Sequence, residues 1–223
     1  MLAASLINPM IPTLKLTDLV STALDWMNDY DTQQLVVAED DVYKGVVSES
    51  ILLDSINDAA PLSEIIRQHQ DVFATADQHV YELLRLVNQY GLRVLPVVNE
   101  EGLLEGTILV SELLERFADE LGIQERGAVL VLKVAERDYS LSEVSRLIES
   151  NGTKVLSSYY ASAATYENPD DARLTLKLNR TNINPIVATL ERFGYNIQEA
   201  HANDPVESID QERLDMLLRY LAT

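Results

Sequence analysis

A segment of about sixty residues occurs twice in the first half of this 223-residue chain, and no other feature constrains the fold as much. Leu24, Asn28, Tyr30, Leu35, Val37 and Gly45 fall opposite Leu84, Asn88, Tyr90, Leu95, Val97 and Gly106, with a single-residue slip near Gly102. Each copy reads as an extended start (Ile11 to Leu14; Asp71 to Ala74) and an amphipathic helix (Ser21 to Tyr30; Val80 to Tyr90), then a strand, a turn, a second strand and a second helix. Two copies are too few for a solenoid. Neither can bury enough apolar surface alone, so the repeat predicts two half-domains closed against each other.

The second copy carries Leu95-Pro96-Val97-Val98-Asn99-Glu100-Glu101-Gly102 and then Gly106-Thr107-Ile108. The first carries Leu35-Val36-Val37-Ala38 and then Gly45-Val46-Val47-Ser48-Glu49. On these residues the segment from about Ile7 to Leu121 resembles the CBS-domain pair, or Bateman module. The resemblance implies one repeat over residues 1–60 and a second over 61–121.

After Leu121 the pattern changes. Residues 122–127, with Gly122 and Gly127 at the two ends, read as a linker, and the apolar run Ala128 to Ala135 reads as a buried strand. Asp138 to Asn151 carries Leu141, Val144, Leu147 and Ile148 at helical spacing, with Ser140 as N-cap, Glu143 three residues on and Gly152 as the stop. Lys154 to Ala163 reads as a strand, Glu167 to Asp171 as a turn, and the alternation of Leu174, Leu176 and Leu178 as the returning strand. Asn182 to Phe193 is a second helix closed by Gly194, and Tyr195 to Ala200 a fourth strand. The order βαββαβ over residues 128–203 predicts a ferredoxin-like plait, so the fold class is mixed α/β, a CBS pair followed by that plait. Residues 204–223 are helical by pattern, packed on their own domain or offered to a partner.

A plait of this length after a CBS pair resembles the ACT domain, and the whole layout resembles acetoin-utilisation-type CBS-ACT proteins. ACT domains bind regulatory small molecules, often amino acids, at a first loop with the pattern Asp-Arg-Pro-Gly-Leu. Here that loop is Arg137-Asp138-Tyr139-Ser140-Leu141, making Asp138, Tyr139, Ser140 and Leu141 the effector-loop candidates. Proline and glycine are both replaced, and without glycine the backbone approaches a ligand less freely.

The CBS resemblance implies an adenine-containing effector such as AMP, ATP or S-adenosylmethionine, with Leu14, Val36, Val47, Ser48, Pro96 and Glu112 as nucleotide-binding candidates. The family pattern is Gly-hydrophobic-hydrophobic-Thr/Ser-x-x-Asp at the strand-to-helix turn. There a hydroxyl and helix amides meet phosphate, and the carboxylate accepts from ribose hydroxyls. The first copy keeps Ser48 but has Ile51 at the acidic position, while the second has Leu109 at the hydroxyl position and keeps an acid in Glu112. Losing one charge-assisted bond per site weakens binding roughly ten- to a hundredfold. Helix capping is the plainer role for Ser48 and Glu112.

Composition limits the other functions. The absence of cysteine removes disulfides, thiolate metal sites and a cysteine nucleophile. Seventeen basic against thirty-six acidic side chains give a net charge of -19, which repels nucleic acid and anionic membranes. No apolar run approaches a membrane span and no export signal is seen, so a cytoplasmic protein is expected. His69, His79 and His201 lack metal-ligand spacing, the acid pairs Asp40-Asp41, Glu100-Glu101 and Asp170-Asp171 fall in turns, and there is no phosphate loop or nucleophile elbow. Trp26 and Met27 read as packing residues. The expectation is a non-enzymatic regulatory protein, homodimeric, with an unknown regulated partner and no metal; the alternative is a ligand-free dimerisation scaffold.

Overall fold

The structure is a computed structural model that describes residues 1–55, 57–135, 140–162 and 172–202. Two units follow one another along the chain, Met1–Phe117 and Ala118–Thr223.

In the first unit the repeat is visible element by element. The first copy has helix α1 (Val20–Asp29), strands β1 (Gln34–Glu39) and β2 (Val42–Ser48), and short helix α2 (Glu49–Leu53). The second has α3 (Val80–Tyr90), β3 (Val94–Val98), β4 (Leu104–Leu109) and α4 (Val110–Glu120), the last running across the boundary between the units. β1 pairs antiparallel with β2, and β3 with β4, each ladder bulging at the same place, Val37/Ala38 and Val97/Val98. The extended starts add a parallel bridge to each hairpin: Leu14 N donates to Val36 O (2.9 Å), and sixty residues on Ala74 N donates to Pro96 O (2.9 Å).

The slip near Gly102 is a difference in turn length. Asp40 and Asp41 close the first hairpin with both φ values positive (49° and 63°), the conformation of a two-residue primed turn that Asp tolerates. The second hairpin takes a longer path, in which Asn99 Oδ1 accepts from the amides of Glu101 and Leu103 (2.9 Å each).

The repeat in sequence and the unit of packing are offset. Ala3 and Leu6 lie in the core of the second copy, with Ala74, Val80, Leu83, Leu95 and Leu113. Ala60 and Leu62, which lead into the second copy, lie in the core of the first, with Leu14, Val20, Leu35 and Leu52. Backbone bonds repeat this exchange: Ala3 N to Gln78 O and Val80 N to Met1 O on one side, Leu62 N to Asp18 O and Val20 N to Ala60 O on the other. A Cβ on Gly45 would stand 2.8 Å from Gln68 O, and one on Gly106 would collide with Ile7 Cγ2, so the hairpins take the lead-ins only with glycine there. Val36, Tyr43, Val46, Val94 and Val98 join the two copies in a third cluster. Tyr43 Oη donates to His69 O (2.7 Å) and Val72 O (3.2 Å); burial, reinforced by Asp71, holds its phenol well above the ordinary tyrosine range.

The second unit has β5 (Ala128–Val134), α5 (Leu141–Glu149), β6 (Val155–Ala161), β7 (Ala172–Leu178), α6 (Asn184–Arg192) and β8 (Asn196–His201). The strand order β6-β7-β5-β8, antiparallel throughout, is that of a ferredoxin-like plait. Ala172, Leu174, Leu176 and Leu178 alternate inward along β7 and meet Val144, Leu147 and Ile148 of α5 and Ile186, Val187 and Leu190 of α6. Ser140 Oγ accepts from Glu143 N (3.3 Å), the cap that the sequence predicts. The turn predicted at Glu167 to Asp171 and the helix predicted over 204–223 lie outside the described residues.

Candidate functional site

The first unit holds a cleft of about 530 Å³ to which both copies contribute. Its apolar wall is Met27 at the end of α1 with Leu109, Val110 and Leu114 where β4 passes into α4. Its polar groups are Asn28 in the last turn of α1, Asp31, Thr32 and Gln33 between α1 and β1, Glu49 at the start of α2, Arg93 before β3 and Ser111.

These residues converge because the repeats place equivalent junctions together. Gln33 O accepts from Glu49 N (2.9 Å) and Arg93 O accepts from Val110 N (3.0 Å), the same contact made once per copy. Gln34 Oε1 joins the copies by accepting from Arg93 N (2.7 Å). Each such junction ends a strand against the first turn of a helix, where amides lack intrahelical partners. Arg93 is exposed, and its guanidinium has no hydrogen-bond or ion-pair partner among the described residues. It stands beside the N-terminus of α4, so the dipole and the guanidinium both favour an anion there. Asp31 and Glu49 supply carboxylates able to accept a pair of hydroxyls. An apolar wall, a cation and two acceptors suit a ligand with a flat ring, hydroxyls and little negative charge.

A smaller cavity of about 220 Å³ adjoins it, sharing Gln33, Glu49 and Arg93 and adding Gln34, Ser48, Ser50 and Gly91. Of the residues singled out from the sequence, Ser48 lines this cavity. It occupies the N-cap position of α2 without capping by its side chain, and its Oγ is 3.2 Å from Ser50 Oγ. Glu112 lies in the first turn of α4, where its Oε1 accepts from Asn8 Nδ2 (2.6 Å). Leu14 and Val47 are fully buried in the first copy's core, Val36 is buried between the copies, and Pro96 is buried in β3. None of these last five lines either cavity.

Arg93, Asp31, Thr32, Gln33, Glu49 and Ser111 are the polar groups that sequence reasoning missed. One signal was available: the repeat alignment sets Arg93 opposite Gln33, a charge difference at equivalent strand entries.

In the second unit a cavity of about 320 Å³ lies at the end of β5, lined by Lys133, Ala135, Glu143, Phe193, Gly194 and Tyr195 among others. Tyr195 Oη donates to Glu143 Oε2 (3.0 Å), and burial together with that carboxylate raises the phenol above its ordinary range. Of the effector-loop candidates, Asp138 and Tyr139 lie outside the described residues, Ser140 is engaged as the α5 cap and Leu141 opens α5. Trp26 and Met27 pack with the first core. His79 caps α3, its Nδ1 accepting from Tyr81 N at 3.4 Å. Among the described residues no group of His, Asp and Glu is gathered to hold a metal ion, and no helix is long and apolar enough to cross a membrane.

Residues 62–119 match the family model of the CBS domain. Among solved structures, the chain is similar to a CBS domain pair/ACT domain protein from Thermotoga maritima, with 24% identity and a TM-score of 0.48 over 53% of this chain and 98% of that one. It is similar at 13% identity, TM-score 0.46, to the CBS domain pair of protein MJ0100 in complex with 5′-methylthioadenosine and S-adenosyl-L-methionine, over 53% of this chain and 97% of that one. A third similarity, at 18% identity and TM-score 0.46, is to CBSX2 in complex with AMP, over 53% of this chain and 96% of that one.

Proposed function

We propose, from the premise that this chain carries a CBS domain pair, that it is a non-enzymatic regulatory protein whose pair binds an adenine-containing nucleotide or related effector and signals to a partner protein. The observation that carries this reading is the Arg93 guanidinium, which has no partner among the described residues, beside the N-terminus of α4 in a cleft that both copies build. The adenine would lie on Met27, Leu109 and Leu114, the ribose hydroxyls would meet Asp31 or Glu49, and a phosphate would meet Arg93. One arginine against two carboxylates leaves the cleft net negative, so AMP or the sulfonium of S-adenosylmethionine is favoured over ATP. The plait serves as an ACT-like domain for an effector or for dimerisation, in a cytoplasmic homodimer.

Calorimetric titration and thermal unfolding with AMP, ATP and S-adenosylmethionine test this. A ligand at a hundred times its Kd adds about 2.7 kcal/mol, which raises the midpoint by roughly 5 to 10 °C. Arg93→Ala is expected to weaken AMP by about tenfold while leaving adenosine nearly unchanged. Silence toward all three at millimolar concentration, or AMP binding indifferent to Arg93→Ala, would overturn the reading. Silence would favour a dimerisation scaffold, to which Ile51 and Leu109 in place of the family's acid and hydroxyl, and Glu112 held by Asn8, already lend weight.

A further inference from the structure

At the end of the plait where β5 begins and β7 finishes, Arg126, Asn179, Arg180, Thr181 and Asn182 line a cavity of about 340 Å³. The β5–β7 register ends at Ala128 opposite Leu178, and Arg126 and Arg180 each lie two residues beyond that last pair, lining the same cavity. Two like charges lining one small cavity repel each other. This chain has thirty-six acidic side chains to seventeen basic ones, yet neither guanidinium has a hydrogen-bond or ion-pair partner among the described residues.

The neighbouring groups are arranged as donors. Asn179 Oδ1 is engaged by Lys154 N (2.8 Å) and Asn182 Oδ1 by Asn184 N (3.3 Å), which leaves each Nδ2 to donate. Thr181 adds a hydroxyl, and among the described residues no carboxylate lines the cavity. A Cβ built on Gly152, just past the end of α5, would stand 3.4 Å from Arg180 Nη2, so that guanidinium lies near the helix's negative terminus, which favours a cation. Arg126 has no such support.

We propose that this cavity is an oxyanion site for a phosphate group, gripped between Arg126 and Arg180. Two guanidinium forks, two amides and a hydroxyl offer more donors than the two oxygens of a carboxylate take up, and they suit a tetrahedral phosphate. The bound dianion also offsets the repulsion between the two arginines that line the cavity. The site is at the opposite end of β5 from the cavity at Tyr195.

The test is a titration of the ¹⁵N-labelled full chain with inorganic phosphate and, separately, with glycerol phosphate, against chloride at matched ionic strength. Neither probe carries adenine. Saturable shifts at the amides of Arg126 and Asn179–Asn182 are expected with at least one of them, and Arg126→Gln is expected to weaken the response by about tenfold or more. A stronger response to inorganic phosphate identifies the free ion, and a stronger response to glycerol phosphate a phosphate monoester of a larger ligand. Shifts no larger than with chloride, shifts that do not saturate, or an affinity unchanged in an Arg126→Gln protein with an unaltered melting midpoint would overturn the proposal.

Discussion

Replacing Leu6 with alanine is expected to loosen the second copy of the repeat, not the copy whose sequence it precedes. Leu6 is 6% exposed in a cluster with Leu83, Leu95, Ile108 and Leu113, and truncating a buried leucine costs about 2–5 kcal/mol. Removing residues 1–8 goes further, because it also takes the backbone bonds Ala3 N to Gln78 O, Ala4 N to Ala76 O, Asn8 N to Thr107 O and Val80 N to Met1 O. At about 1 kcal/mol each on top of the lost apolar burial, the loss is comparable to a domain's whole stability of roughly 5–15 kcal/mol. Hydrogen exchange locates the effect. Amides of Val80–Tyr90 and Val94–Val98 should lose protection in Leu6→Ala while those of Gln34–Glu39 keep theirs. Equal loss in both hairpins would mean that the two copies open as one cooperative body and would sink the localised exchange.

That exchange is also where the sequence stops being legible. The repeat could be read because equivalent positions carry equivalent packing residues: Leu35 and Leu95 enter equivalent cores, and Gly45 and Gly106 equivalent bulges. The plait could be read because β7 alternates and α5 and α6 keep a helical stripe. An alignment, however, assigns each lead-in to the copy that follows it, whereas packing gives it to the other, and no local pattern records that. The cleft fails to show for a related reason. Ser48 and Glu112 stand in a recognisable local motif, but Asp31, Arg93 and Ser111 meet only once the two copies close. Leu14 and Val47 belong to the apolar pattern of the repeat because they fill the core, and they line neither cavity.

Gly127→Ala is expected to open the central ladder of the plait. A Cβ there would overlap the carbonyl oxygen of Leu178 and stand 2.9 Å from its carbonyl carbon and 3.4 Å from Asn179 Cα. All three obstacles are backbone, so no rotamer change relieves the clash. β7 must retreat, yet Leu178 is paired with Ala128 on one side and Val155 on the other, so the movement spreads to β6. Overpacking a core costs about 1–3 kcal/mol where side chains can adjust, and here the expected cost is at the top of that range or beyond. Gly194 separates sterics from glycine's backbone freedom: it has φ 86° but nothing within 4 Å of its Cβ position, so Gly194→Ala carries conformational strain without a collision. Chemical denaturation should rank Gly127→Ala well below Gly194→Ala, and the reverse order would show that the strand ends yield. Because Gly127 sits between Arg126 and the β5–β7 ladder, the same variant should also lose the phosphate response, whereas Gly194→Ala should retain it.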